Sequence, residues 1–126
     1  KPKKVIPEKS TIMVIPRIGN KVLMKKRPPT GIWGGLWCFL EVSKHKEIEP
    51  LLQTLQLHKV EQQVLPEFRH TFSHFHLDIT PIVINCAEST AKEINEIDQQ
   101  QWYDLNNKAT VGLAASTQKL INLLTK

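Results

Sequence analysis

The stretch Phe68-Arg69-His70-Thr71-Phe72-Ser73-His74-Phe75-His76-Leu77-Asp78-Ile79 decides the fold. Phe68, His70 and Phe72 share even parity, whereas Phe75, Leu77 and Ile79 share odd parity. Side chains of a strand alternate between its two faces, so a strand cannot change its buried face without a turn or a bulge. The parity switch therefore places a break at Ser73-His74. Two antiparallel strands are predicted within Val64–Cys86, joined by a hairpin whose tip carries Phe72-Ser73-His74.

Working outward, Thr11–Ile15 is β-branched and apolar and is expected to end as a strand at Pro16. Ile18-Gly19-Asn20-Lys21 reads as a tight turn, because Gly and Asn tolerate the positive φ that a hairpin needs. Lys21–Lys26 is the return strand, with Val22 and Met24 alternating against Lys21, Leu23 and Lys25. Arg27–Gly35 holds two prolines and three glycines and reads as a structured loop. Leu36–Val42 is expected as one short buried strand. Glu47–Leu57 places Ile48, Leu51, Leu52 and Leu55 on one face of a helix. Beyond Cys86 a polar, exposed segment is expected, then a strand near Gln101–Leu105. A closing helix from about Ala114 turns Leu120, Ile121 and Leu124 inward. The class is α/β or α+β, a mixed β-sheet packed against two or more helices.

At 126 residues the chain has the length of one domain. No run approaches the roughly 18 apolar residues of a membrane span. Cys38 and Cys86 each lie in an apolar, strand-like run, which predicts two buried thiols in a reducing compartment rather than a disulfide. The net charge of +5 is uneven: residues 1–27 hold nine basic residues and one acid, Glu8, while the remainder is net acidic. A positive segment of this kind offers a phosphate-binding face, driven by counterion release. Lys25, Lys26 and Arg27, with Arg69, are the expected phosphate contacts. The Lys/Pro-rich opening is expected to be a linker remnant over residues 1–10, with the domain at 11–126.

Three catalytic or metal readings meet the sequence. Glu47 and Glu49 lie two residues apart on the predicted helix and point in different directions, a poor cluster for a hard cation. His70, His74 and His76, with Cys86 downstream, offer zinc-type ligands, but no CxxC pair or HExxH helix accompanies them. Ser73 beside His74, with Asp78 nearby, lacks the GxSxG elbow of a hydrolytic triad. No catalytic residue and no metal ligand is assigned.

Two longer motifs carry a resemblance. Arg27-Pro28-Pro29-Thr30-Gly31-Ile32-Trp33-Gly34-Gly35-Leu36-Trp37-Cys38-Phe39 is similar to an RP-x-x-G-x-W-G-G-L-W-x-F signature. Phe68–His74 is similar to an FxHxFSH segment, and Leu113-Ala114-Ala115 before the closing helix also fits. In this order they resemble the C-terminal Nudix-like domain of A/G-specific adenine DNA glycosylases. The chain departs from many relatives where it reads Cys38-Phe39-Leu40-Glu41-Val42 in place of a Glu-Phe-Pro-Gly-Gly turn.

The resemblance implies a Nudix-like fold without its metal helix and no cofactor in this domain. Its partners would be double-stranded DNA containing 8-oxoguanine opposite adenine, and in cis a glycosylase domain carrying the catalytic carboxylates and a 4Fe-4S cluster. Phe72, Ser73 and His74 would touch the lesion. A monomer at the nucleoid, in the cytoplasm of a bacterium, is the expected setting. The lesion differs from guanine at one edge, with N7–H as a donor and O8 as an acceptor in place of a bare N7 and C8–H. A serine hydroxyl accepts from N7–H. Two other readings remain open at this point: a stand-alone Nudix hydrolase of oxidised nucleotides, and a protein-docking module.

Overall fold

Gly19, at φ +59, turns the chain between its first two strands, β1 (Glu8–Ile18) and β2 (Lys21–Lys26). In the computed structural model, which describes residues 6–87, 100–106 and 112–125, six more strands and two helices follow. They are β3 (Trp37–Cys38), β4 (Leu40–Val42), α1 (Ile48–Thr54), β5 (Lys59–Val64), β6 (Phe68–Thr71), β7 (His76–Cys86), β8 (Gln100–Asp104) and α2 (Ala115–Leu124). A short 3-10 turn, His45–Glu47, leads into α1. The polar segment expected after Cys86 falls largely outside the described residues.

The strands form one mixed sheet. β1 runs parallel to β7, from Glu8 opposite His76 to Arg17 opposite Asn85. On its other side β1 pairs with β4 at Ile12–Val14 and with β2 at Arg17 and Ile18. Pro16 does not end the strand as the sequence suggests. It lies in the gap between these two partners, where a missing N–H disrupts neither ladder. Pro81 sits in a similar gap in β7, between its pairing with β6 (His76–Ile79) and with β5 (Ile82–Cys86).

Leu36–Val42 is not one strand. β3 pairs with β2 and β4 with β1, so the chain breaks at Phe39 as it changes partners. The predicted helix is shorter than Glu47–Leu57. Pro50 fits its first turn, where the lost N–H is unneeded, and the chain leaves the helix at Gln56 with φ +58. Sequence reading gave β5 no place, and every residue of it is exposed.

Both faces of the sheet are covered. Met13, Ile15, Val22, Met24, Leu77 and Ile79 pack with Leu120 and Ile121 of α2. Ile12, Val14, Leu23, Ile82 and Ile84 pack with Ile48 and Leu52 of α1. Leu23 is therefore buried on the α1 side, not solvent-facing beside Lys21 and Lys25. Cys38 and Cys86 are free and buried, one in each of these two clusters. Burial pushes both thiols up from their ordinary value.

Candidate nucleic-acid interface

The register of the hairpin explains the parity switch. Phe68 lies opposite Ile79, His70 opposite Leu77, and Thr71 opposite His76 as the last pair. Even residues of β6 thus share a face with odd residues of β7. The turn closes with the Phe72 N–H donating to the Phe75 carbonyl at 2.8 Å. Ser73 and His74 stand exposed at the tip, whereas Phe72 is half-buried.

Phe72 lies among rings. Its centroid is 4.7 Å from Phe75 in a stacked pair, 4.6 Å from His70 and 5.1 Å from Trp33. Trp33 also meets His70 edge-on at 5.2 Å. The base of the hairpin is anchored twice more: Thr71 Oγ1 and His76 Nδ1 are 2.9 Å apart, and the His76 N–H donates to the Pro7 carbonyl. Lys9 Nζ sits 4.6 Å from the Phe75 ring centre and Lys119 Nζ 4.5 Å from that of Phe68, both within cation–π range. Sequence reading missed these two cations. The signal for Lys9 is parity: once β1 starts at Glu8, Lys9 shares the face of Met13 and Ile15.

The four expected phosphate contacts sort by geometry. Lys25 and Lys26 are exposed at the end of β2. Alternation places Lys26 on the Val22 and Met24 face, which is the hairpin's face, and sends Lys25 to the α1 side. Both lysines nevertheless reach one cleft of about 300 Å³, lined also by Arg27, Leu40, Glu41 and Leu51. Arg27 pairs with Glu41 at 3.2 Å. Arg69 projects from the face opposite the ring cluster and is held between Asp78, with contacts of 2.7 and 3.0 Å, and Glu8 at 2.9 Å.

That ion pair has a pH signature. Two donated hydrogen bonds from the Arg69 guanidinium hold the Asp78 carboxyl below its ordinary range. A carboxyl lowered in the folded state adds stability in full above its unfolded pKa and loses it as pH falls through the folded value. Thermal melts from pH 5 down to pH 2 are therefore expected to show Tm falling, with Asp78→Asn flattening that decline. An equal acid decline in the variant excludes the pair as its source.

Acidic groups near α1 are individually engaged. Glu47 Oε1 accepts from the N–H groups of Ser43 (3.0 Å) and Lys44 (2.8 Å), and Glu49 pairs with Lys59 at 3.1 Å. The metal-binding pattern of Nudix hydrolases, G-x5-E-x7-R-E-U-x-E-E-x-G-U with U a bulky apolar residue, set on Gly35 and Glu41 puts its Arg-Glu pair at Glu49-Pro50 and its Glu-Glu pair at Gln53-Thr54. The pattern's glycine falls on Gln56, which takes the left-handed φ in its place. Among the described residues no three His, Cys, Asp or Glu side chains cluster as metal ligands. His70 packs on Trp33, His76 Nδ1 meets Thr71 Oγ1 and His74 is exposed at the tip, while Cys86 lies at the other end of β7.

Comparison with known proteins agrees with this architecture. A family model described as NUDIX domain matches residues 11–123. The chain is 32% identical over 124 residues to an adenine DNA glycosylase of Buchnera aphidicola subsp. Schizaphis graminum, and 30% identical over 124 residues to that of subsp. Baizongia pistaciae. Each alignment covers 98% of this chain and 35% of the relative, so the chain spans about a third of their length. In fold it is similar to the C-terminal domain of mouse MUTYH, solved in complex with human PCNA, with a TM-score of 0.70 and 19% identity over 91% of this chain and 86% of that one. It is also similar to Shewanella oneidensis NrtR, solved with a 27mer DNA, with a TM-score of 0.71 and 13% identity over 89% of this chain and 58% of that one.

Proposed function

Because the chain belongs to the NUDIX domain family and aligns with adenine DNA glycosylases along nearly its whole length, we propose that it is the lesion-reading domain of such a glycosylase, recognising 8-oxoguanine opposite adenine in duplex DNA. The observation that carries this reading is the hairpin tip: Ser73 and His74 are presented to solvent on a base of packed rings. A rigid support under two polar groups is what reading one edge of a base requires.

In this reading the Ser73 hydroxyl accepts a hydrogen bond from N7–H of the lesion. Opposite normal guanine the same hydroxyl can turn and donate to N7, so Ser73 grades the preference and does not decide it alone. His74, or a backbone N–H of the turn, donates to O8. Phe72 contacts the lesion from its fixed place in the cluster. Lys25 and Lys26 supply phosphate contacts, and Arg27 and Arg69 do so by exchanging a carboxylate for a phosphate. The glycosidic bond is cut elsewhere, in a domain in cis that holds the catalytic carboxylates and the iron–sulfur cluster. This chain supplies no catalytic group and works as a monomer at the bacterial nucleoid.

Ser73→Ala is the direct test. One neutral hydrogen bond contributes about 0.5–1.5 kcal/mol, so the variant should lose up to about tenfold of the preference for 8-oxoG:A over G:A duplexes, the bond to guanine N7 offsetting part of the loss. Competition titrations with matched duplexes read that ratio. Unchanged affinity for both duplexes removes Ser73 from the contact, and an equal loss on both means that it bonds guanine and the lesion alike and does not read the difference.

A further inference from the structure

We propose that Trp33 is a positioning residue that sets the pose of the hairpin tip; the proposal rests on the tip being the lesion reader. Trp33 and His70 are far apart in sequence, yet Trp33, His70 and Phe72 form a closed triangle of rings with centroids 4.6–5.2 Å apart. Phe75 stacks on Phe72 as well, so the residue preceding Ser73 meets three rings. Phe72 therefore has little freedom to rotate, and Ser73 inherits its direction from that constraint.

The backbone under Trp33 supports a role for its ring. Trp33 has φ +53, a left-handed conformation that bulky residues seldom adopt. Glycine would occupy this position without strain. Strain of this kind persists where the surroundings over-determine it, and here they do. The Arg27 N–H donates to the Leu36 carbonyl, the Gly35 N–H to Pro28 and the Leu36 N–H to Trp33. At Gly34 a Cβ would lie 2.7 Å from the Pro29 carbonyl oxygen, so the loop closes on itself too tightly for any other residue. The loop presents the indole to the hairpin from a fixed frame.

The test separates tip order from general stability. Amide exchange of Phe72, whose N–H bonds the Phe75 carbonyl, and the amide shifts of residues 72–75 are compared in the wild type, Trp33→Phe, Trp33→Leu and Trp33→Gly. Trp33→Phe should preserve both, since it keeps a ring. Trp33→Leu should raise Phe72 exchange about tenfold relative to core amides such as Ile79, and at least halve the 8-oxoG:A over G:A preference. Trp33→Gly relieves the backbone strain, so it keeps the test informative if the leucine variant does not fold, and it should loosen the tip equally. Tip amides that match the wild type in either ring-less variant overturn the proposal. A loosened tip in a chain whose wild type prefers neither duplex overturns the lesion reading and leaves the positioning role standing.

Discussion

Phe39→Ala is expected to lower the unfolding free energy by about 3–5 kcal/mol, the usual cost of removing a buried ring and leaving a cavity. Phe39 is 2% exposed and belongs to the cluster that α2 covers. It stands where the chain leaves β2 for β1, so its ring fills the core at the point where β3 gives way to β4. Against a total stability of about 5–15 kcal/mol, that loss removes a large share. For a domain of this size it corresponds to a fall in Tm of roughly 10–25 °C. Urea unfolding followed by tryptophan fluorescence measures it. A loss under about 1 kcal/mol means that the site collapses around the missing ring and that Phe39 does not hold the strand switch.

Replacing Phe72-Ser73-His74-Phe75 with Asn-Gly is expected to abolish the lesion preference while the sheet survives. Thr71 and His76 are the last register pair, and a two-residue turn of this sequence matches the twist of such strands. The variant loses the stacked Phe72–Phe75 pair, so a drop of a few degrees in Tm is also expected. Two or three contacts to the lesion edge, each contributing about 0.5–1.5 kcal/mol, together account for a preference of at most about 1–4.5 kcal/mol. All of it resides in the tip on this account. Paired titrations with 8-oxoG:A and G:A duplexes should give a ratio near one for the variant, and a retained preference would place recognition elsewhere on the surface.

The hairpin is legible in the sequence because each of its strands carries bulky residues on one parity and the parity changes once. The turn at Gly19-Asn20 and the helix through Leu120 and Ile121 are legible for the same reason: local pattern and burial agree. β5 is not legible. Val60 is 72% exposed and Val64 56%, so Lys59–Val64 pairs along β7 through its backbone without burying a face. Pro16 and Phe39 mislead because a linear pattern shows where a strand can form, not where it changes partners. Leu23 reads as solvent-facing only if one face of the sheet is open, and α1 closes that face. At the candidate site, Ser73 and His74 are visible as turn residues. The support from Trp33 is not, since a tryptophan in a glycine-rich loop reveals nothing of a hairpin far along the chain. The basic residues divide in the same way. Lys25 and Lys26 form no ion pair among the described residues, while Arg27 and Arg69 are paired with Glu41, Asp78 and Glu8 by contacts that only tertiary structure creates.

The most direct measurement is an amide-shift titration of this chain with two duplexes that differ only in 8-oxoguanine or guanine opposite adenine. Recognition through the tip predicts that the lesion duplex moves the amides of residues 72–75 further, and at lower concentration, than the undamaged one. It also predicts that the amides of Lys25 and Lys26 respond alike to both. Identical responses of residues 72–75 to the two duplexes, or none at the tip at any concentration, contradict it.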